Sequence, residues 1–239
     1  MSLPATGPPS LDRRAVRGIV FDLDGTLVDS AGDIAAAMNS TLAARGMPEH
    51  ELAAYRRFIG EGVEVLARRA VPRDRAAEVD DVLAAFRARY AQGLLERTRP
   101  YPGVPQMLAS LLRRGVRLGV LSNKPDLHTQ EIVGALFPRT FDAVSGERPG
   151  IPRKPDPRGL LELVAALGGR PEAAALVGDS GIDMQTARAA GVTAAGVTWG
   201  FRDEAELRAN GADVLARNPS ELAQKLELPP LERPEGTVG

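Results

Sequence analysis

Residues 19–30 read IVFDLDGTLVDS. An apolar run leads straight into Asp22 and Asp24, one residue apart, and the chain turns at once on Gly25-Thr26. Strands buried on both faces of a parallel sheet have this continuous apolar character, whereas half-exposed strands alternate. The pattern recurs in VRLGVLSN (116–123), AALVGDS (174–180) and TAAGVTW (193–199), with FDAVSG (141–146) and ADVLA (212–216) as shorter candidates. Between them, VPQMLASLLRRG (104–115), DLHTQEIVGAL (126–136), DPRGLLELVAALGG (156–169) and IDMQTARAAG (182–191) place apolar residues at helical spacing. Strand and helix patterns in alternation predict βαβ units: an α/β fold with a Rossmann-like parallel sheet at its centre.

Residues 33–98 break the alternation. GDIAAAMNSTLAARG, ELAAYRRFIG, GVEVLARRA and the long DRAAEVDDVLAAFRARYAQGLLERT (74–98) are helical throughout, so a helical module is expected directly after the paired aspartates. RPYPGV (99–104) ends it, since proline and glycine stop the last helix and return the chain to the sheet. The expected organisation is a leader over 1–15, a core over 16–32 and 99–228, a helical cap over 33–98 and a flexible tail over 229–239.

Composition narrows the function. Thirty Lys and Arg against 31 Asp and Glu give a net charge of −1, which offers neither a nucleic-acid surface nor a polybasic membrane anchor. The absence of cysteine excludes thiolate nucleophiles, disulfides and Cys-ligated zinc, and two histidines, His50 and His128, are too few for a His-built metal site. The proline-rich start MSLPATGPPS lacks the basic and apolar regions of a signal peptide, and no apolar run approaches the ~18 residues of a membrane span. A soluble cytoplasmic protein, monomer or homodimer, is expected.

In an open parallel sheet, ligands bind beyond the carboxyl ends of the strands. Asp22 and Asp24 lie at such an end, as do Ser122 and Asn123 after LGVL, and Asp179 after ALVG; Asp183 follows near a helix start, and Lys154 stands in the loop GIPRKPDP. Four carboxylates sharing one crevice repel each other more than one lysine can offset, whereas a hard divalent cation with oxygen ligands can. Mg²⁺ is the natural choice. Asp22 is then the nucleophile toward a metal-held phosphate, and Asp24 the acid and base for the two half-reactions. Ser122, Asn123 and Lys154 hold the phosphoryl oxygens. Asp22, the backbone carbonyl of Asp24 and Asp179 ligate the metal, and Asp183 orients its waters.

DLDGTLVDS, LSNK, RKPDP and GDSGIDMQTARAAG resemble the four ordered motifs of the haloacid dehalogenase superfamily of phosphohydrolases, over about 17–226. The helical module resembles that family's C1-type cap. An aspartate at position 24 matches the phosphatase branch and not the dehalogenases, which lack this acid. Within the branch, RLGVLSNKP, RPYPGV, RPGIPRKPDP and VTWGFR look most like phosphoglycolate phosphatases. The resemblance implies a Mg²⁺-dependent phosphomonoesterase acting on a small phosphorylated metabolite through a phosphoaspartate. Phosphosugar phosphatases and a β-phosphoglucomutase-like phosphotransferase share much of the pattern. A non-catalytic binding module would be expected to have lost one of Asp22, Asp24 and Asp179.

Weaker signals complete the reading. Gly60-Glu61-Gly62 opens a cap helix whose N–H groups can face an anionic substrate. GDSGIDM by itself also fits a helix N-cap by Ser180 or Asp183. Arg56-Arg57 and Arg68-Arg69 are expected in solvent, with one of them able to reach the site. His128 is expected on a helix surface, and Trp199 near a strand end.

Overall fold

The computed structural model describes residues 17–226, so the expected leader (1–15) and tail (229–239) lie outside the described residues. Strand β1 (Gly18–Phe21) leads to the two-residue β2 (Val28–Asp29) and then to helices α1 (Ala31–Ala43), α2 (Leu52–Phe58), α3 (Val63–Ala70) and α4 (Val79–Tyr90). The two-residue β3 (Arg99–Pro100) returns the chain to α5 (Val104–Arg113), β4 (Arg117–Pro125), α6 (Asp126–Leu136) and β5 (Ala143–Glu147). There follow α7 (Arg158–Ala166), β6 (Ala174–Gly178), α8 (Gly181–Ala190), β7 (Thr193–Val197), α9 (Glu204–Ala209), β8 (Val214–Ala216) and α10 (Pro219–Lys225).

Six strands form a parallel sheet in the order β5-β4-β1-β6-β7-β8. The chain moves outward from β1 through β4 to β5, then crosses back to β6 on the other side of β1. Strand order thus reverses at β1, the position where such sheets open a crevice. Register makes the crevice chemical: Phe21 lies level with Val120 and Val177, so one step on, Asp22 stands beside the strand ends that carry Ser122 and Asp179.

Alternation along β1 sends Ile19 and Phe21 to one face and Val20 to the other. Val20, Leu176 and Ala194 meet Leu160, Leu163 and Val164 of α7 and Met184 and Ala187 of α8. Ile19, Phe21 and Val177 belong to the opposite cluster with Leu108 and Leu111 of α5, Ile132 of α6 and Leu222 of α10. Each large side chain buried here contributes about 1.5–3 kcal/mol by leaving water. The second cluster runs on into the helical insertion through Met38, Leu42, Tyr55, Phe86 and Tyr90. Among the described residues no helix is long and apolar enough to cross a membrane.

Strands β2 and β3 pair antiparallel, Val28 with Pro100 and Asp29 with Arg99, as a neck below the insertion. Helix α1 begins at Ala31, so the expected boundary at residue 33 falls inside a helix. Asp33 then ties the outgoing and returning chain together. Its buried carboxylate accepts from the Arg97 N–H (2.9 and 3.0 Å), the Thr98 N–H (2.8 Å) and the Thr98 hydroxyl (2.7 Å).

The long helix expected over 74–98 is not continuous. Residues Arg73–Glu78 form a 3-10 helix with non-helical geometry at Arg75 (φ −113°, ψ 19°), and the α-helix runs only from Val79 to Tyr90. The cause is tertiary: Arg75 bonds both Glu78 and the Arg45 carbonyl, and Asp33 takes the N–H groups of Arg97 and Thr98 that a helix would have used.

Replacing Asp33 by alanine leaves those three donors unpaired, the two of Thr98 buried and the Arg97 N–H partly so. An unmet buried donor costs about 1–3 kcal/mol, so urea unfolding of Asp33→Ala should show a loss of about 2–4 kcal/mol. A loss below about 0.5 kcal/mol would show that the neck does not depend on this carboxylate.

Candidate active site

Asp22 follows β1 directly, its N–H donating to the Val177 carbonyl at 2.8 Å, so the backbone of the neighbouring strand fixes its position. Its side chain reaches Lys154 Nζ at 2.8 Å, and the same ammonium reaches Asp183 Oδ1 at 2.6 Å. Asp22, Asp183 and Lys154 are all buried. Burial pushes the Lys154 ammonium down, but Asp183 and Asp22 more than reverse this, and it is held above its usual value. Lys154 is therefore a fixed cation.

Asp183 answers two sequence readings at once. Its Oδ2 accepts from the Ser180 N–H (3.1 Å) and hydroxyl (2.6 Å), forming a capping box at the start of α8, while Oδ1 holds Lys154. The helix cap aims the lysine at Asp22. Asp179 is anchored by the Phe201 N–H at 2.7 Å and the Thr26 hydroxyl at 3.2 Å. Gly25, at φ 89°, lies so close that a Cβ there would stand 2.3 Å from Asp179 Oδ2. Only glycine fits this turn.

One oxygen from each of Asp22, Asp179 and Asp183 lies within 4.8 Å of the others. Three carboxylates against one lysine leave the cluster short of positive charge. Burial first, and Asp183 second, push the Asp179 carboxyl up to about 7. Burial also raises Asp22 well above the usual carboxylate value, with Asp183 and Asp179 adding to the shift and Lys154 opposing it. These side chains fit a divalent cation: all-oxygen donors, buried, and strained toward protonation without one. Asp22 and Asp179 offer the freer oxygens.

Asn123 was expected on the phosphate. Its side chain instead braces the site: Oδ1 accepts from the Lys154 N–H (2.8 Å), and Nδ2 donates to the Lys154 carbonyl (3.1 Å) and the Gly60 carbonyl (3.0 Å). Both amide hydrogens are committed. Ser122 is buried, accepts from the Lys124 N–H at 3.2 Å, and lines the same cavity as Asp22 with its hydroxyl proton still to give.

That cavity, about 450 Å³ including its mouth, lies between the sheet and the helical insertion. Its polar wall is Asp22, Asp24, Ser122, Asn123 and Lys124; Ile34, Ile59, Val63, Leu66, Phe86 and Tyr90 form an apolar wall, and Gly60 and Gly62 edge it. Gly62 immediately precedes α3. A side chain at Gly62 would meet Arg153: φ is 92° and a Cβ would stand 2.5 Å from its Nη1.

The sequence reading gave Lys124 no role. Yet its Nζ lies 2.9 Å from Asp24 Oδ2 and 2.8 Å from the Tyr90 hydroxyl, and Ser30 donates to the other Asp24 oxygen. The available signal was a lysine one residue beyond a buried strand's serine-asparagine end. His128 also departs from expectation: it is half-buried, its ring set edge-on to Tyr90 at 5.6 Å, with Nδ1 lacking a partner among the described residues. Trp199 does sit near a strand end, donating to the Thr26 carbonyl at 3.0 Å. The arginine pairs stay outside the cavity wall, with Arg56 facing Asp29 and Arg69 facing Glu61.

The haloacid dehalogenase-like hydrolase profile matches residues 19–197. A phosphoglycolate phosphatase of Mesorhizobium japonicum is 38% identical over 190 residues, spanning 77% of this chain and 84% of its own. A phosphoglycolate phosphatase of Aquifex aeolicus is 33% identical over 213 residues, covering 89% of this chain and 97% of its own. The crystal structure of a protein from Lactobacillus delbrueckii subsp. bulgaricus superposes with a TM-score of 0.84 at 31% identity, over 89% of this chain and 98% of that one. With the strand order, the strand-end carboxylates and these likenesses together, the chain belongs to the haloacid dehalogenase-like hydrolases and is a phosphoric monoester hydrolase.

Proposed function

We propose that the protein is a Mg²⁺-dependent phosphatase of small phosphomonoesters, with phosphoglycolate the favoured substrate and a phosphoaspartate as intermediate. One observation carries the reading: Asp22 and Asp24 open on one cavity, yet each is held by its own buried lysine. Asp22 and Asp183 share Lys154; Asp24 has Lys124. Two carboxylates two residues apart can then take different parts. The phosphoglycolate choice rests on the named relatives.

Asp22 attacks phosphorus, and the P–O bond to the leaving group breaks with its electron pair on that oxygen, which takes a proton from Asp24. Water then attacks the acyl phosphate as Asp24 takes back a proton, releasing phosphate and regenerating Asp22. Ser122 donates to a phosphoryl oxygen, and Lys154 offsets its charge. Asp22, Asp179 and the Asp24 carbonyl would hold the cation, with Asp183 steering Lys154. A bound divalent cation supplies the charge that draws the phosphoryl oxygens in. Residues 33–98 act as the cap, excluding water while the acyl phosphate exists.

Purified protein should release phosphate from 2-phosphoglycolate with Mg²⁺, and an equal yield of glycolate would set it apart from a phosphotransferase. Asp22→Asn should fold yet lose at least about 10³-fold in turnover; Asp24→Asn should lose about 10²- to 10⁴-fold and still bind Mg²⁺. Near-normal turnover by Asp22→Asn would sink the covalent mechanism.

Metal binding is linked to pH through Asp179. Its native carboxyl, near 7 without metal, holds a proton that the unfolded chain, near 3.8, has released, so its contribution to metal-free stability is present at low pH and fades as pH rises through 7. A cation competes with that proton. Mg²⁺ should therefore raise Tm by several degrees at pH 8 and by much less at pH 5, read by scanning calorimetry. Equal shifts at both would place the cation elsewhere.

A further inference from the structure

The cavity beside Asp22 holds one cation to which the phosphoryl chemistry gives no task beyond holding Asp24. Lys124 lies near the end of β4, 6% exposed, with its Nζ on Asp24 Oδ2 and on the Tyr90 hydroxyl, 4.8 Å from the centroid of the Tyr90 ring. An ammonium has three N–H donors, and these two partners take two. The third has no partner among the described residues, although Lys124 lines the cavity. Lys154 also has two partners, Asp22 and Asp183, but it is not among the residues that line this cavity.

The rest of the wall makes this matter. Ile34, Ile59, Val63, Leu66 and Phe86 offer no acceptor from their side chains. A group seated against that wall loses water and finds donors at Lys124 and Tyr90, while the two carboxylates on the same cavity are already paired, Asp24 with Lys124 and Ser30 and Asp22 with Lys154, so an anion gains over a cation. The Lys124 ammonium is held in place by the Asp24 carboxylate and the Tyr90 hydroxyl, both within hydrogen-bond distance of its Nζ. Tyr90 comes from α4 of the helical insertion and stacks on Phe86 at 5.4 Å, which fixes one side of the lysine.

We propose that Lys124, braced by Tyr90, selects the substrate by taking a carboxylate borne on the leaving group, so that the protein prefers small phosphomonoesters of hydroxy acids over neutral or cationic esters of the same length. This rests on the phosphatase reading and sharpens it. Phosphate goes to Lys154 and Ser122; the acid group goes to Lys124.

Three probes of matched size test it: 2-phosphoglycolate (anionic), ethylene glycol monophosphate (neutral) and phosphoethanolamine (cationic), each with Mg²⁺. Wild-type kcat/KM should fall in that order. In Lys124→Met the anionic-to-neutral ratio should drop by at least about 30-fold, and the cationic ester should gain on the neutral one. Using ratios cancels any general loss from a displaced Asp24. Should that variant not fold, Tyr90→Phe, which keeps the ring stack, should lower the anionic-to-neutral ratio by about 3-fold or more. An indifferent wild type, or unchanged ratios in the folded variants, would overturn the proposal and leave Lys124 as a brace for Asp24 alone. A wild type that hydrolyses none of the three, nor an aryl phosphate, would overturn the phosphatase reading, and this one with it.

Discussion

The ion pairing of Lys154 with Asp22 and Asp183 is the constraint from which the rest of the site follows. Moving a charge out of water costs several kcal/mol even after relaxation, and three carboxylates with oxygens within 4.8 Å add mutual repulsion. Lysine at 2.6–2.8 Å answers part of this only while its position is fixed. Two devices fix it. Asn123 clamps the Lys154 backbone at both its N–H and its carbonyl, and the α8 capping box holds Asp183 so that its remaining oxygen faces the ammonium. The charge still missing, visible in the raised Asp22 and Asp179 carboxyls, is what a divalent cation supplies.

The same elements govern how the helical insertion sits. Asn123 also donates to the Gly60 carbonyl, and Arg153, next to Lys154, donates to the Glu61 carbonyl at 3.3 Å and pairs with Glu64. From the other side Arg202 donates to the carbonyls of Arg56, Arg57 (3.1 Å) and Ile59 (2.9 Å) at the end of α2, next to Phe201, whose N–H anchors Asp179. Loops carrying the lysine and touching an acidic ligand candidate thus meet one segment, residues 56–61. Partly exposed contacts of this kind are worth about 0–1 kcal/mol apiece, so the segment is held by their number and not by any one of them.

Sheet and strand-end chemistry were legible because both are local. A strand buried on two faces must be apolar along its length, as in Gly18–Phe21 and Ala174–Gly178, and the polar residue that ends it is conspicuous. Asp22, Asp24, Ser122 and Asp179 could be read in this way, and Lys154 from its loop. What escaped depends on partners distant in sequence. Lys124 acquires meaning from Tyr90, 34 residues earlier on an insertion helix. Asn123 looked like a phosphate ligand until its amide found Lys154 and Gly60, 31 and 63 residues away. The helical periodicity of 74–98 gave way to Asp33, a single carboxylate some 65 residues from the N–H groups it captures. His128, polar and next to an exposed Leu127, gave no hint that Tyr90 would lie against it.

The apolar wall belongs to the electrostatic argument as much as the charges do. At 4 Å, two unit charges interact by about 1 kcal/mol in bulk water and about 4 kcal/mol at an effective dielectric constant near 20. Ile34, Ile59, Val63, Leu66 and Phe86 carry no group that screens Lys124, so this lysine acts on the cavity nearer the higher figure when water is excluded. The side chains come from α1, the α2–α3 connection, α3 and α4, while the charges they leave unscreened come mainly from the sheet. Insertion and sheet therefore divide the work: the strand ends place the charges, and the helices decide how strongly those charges are felt.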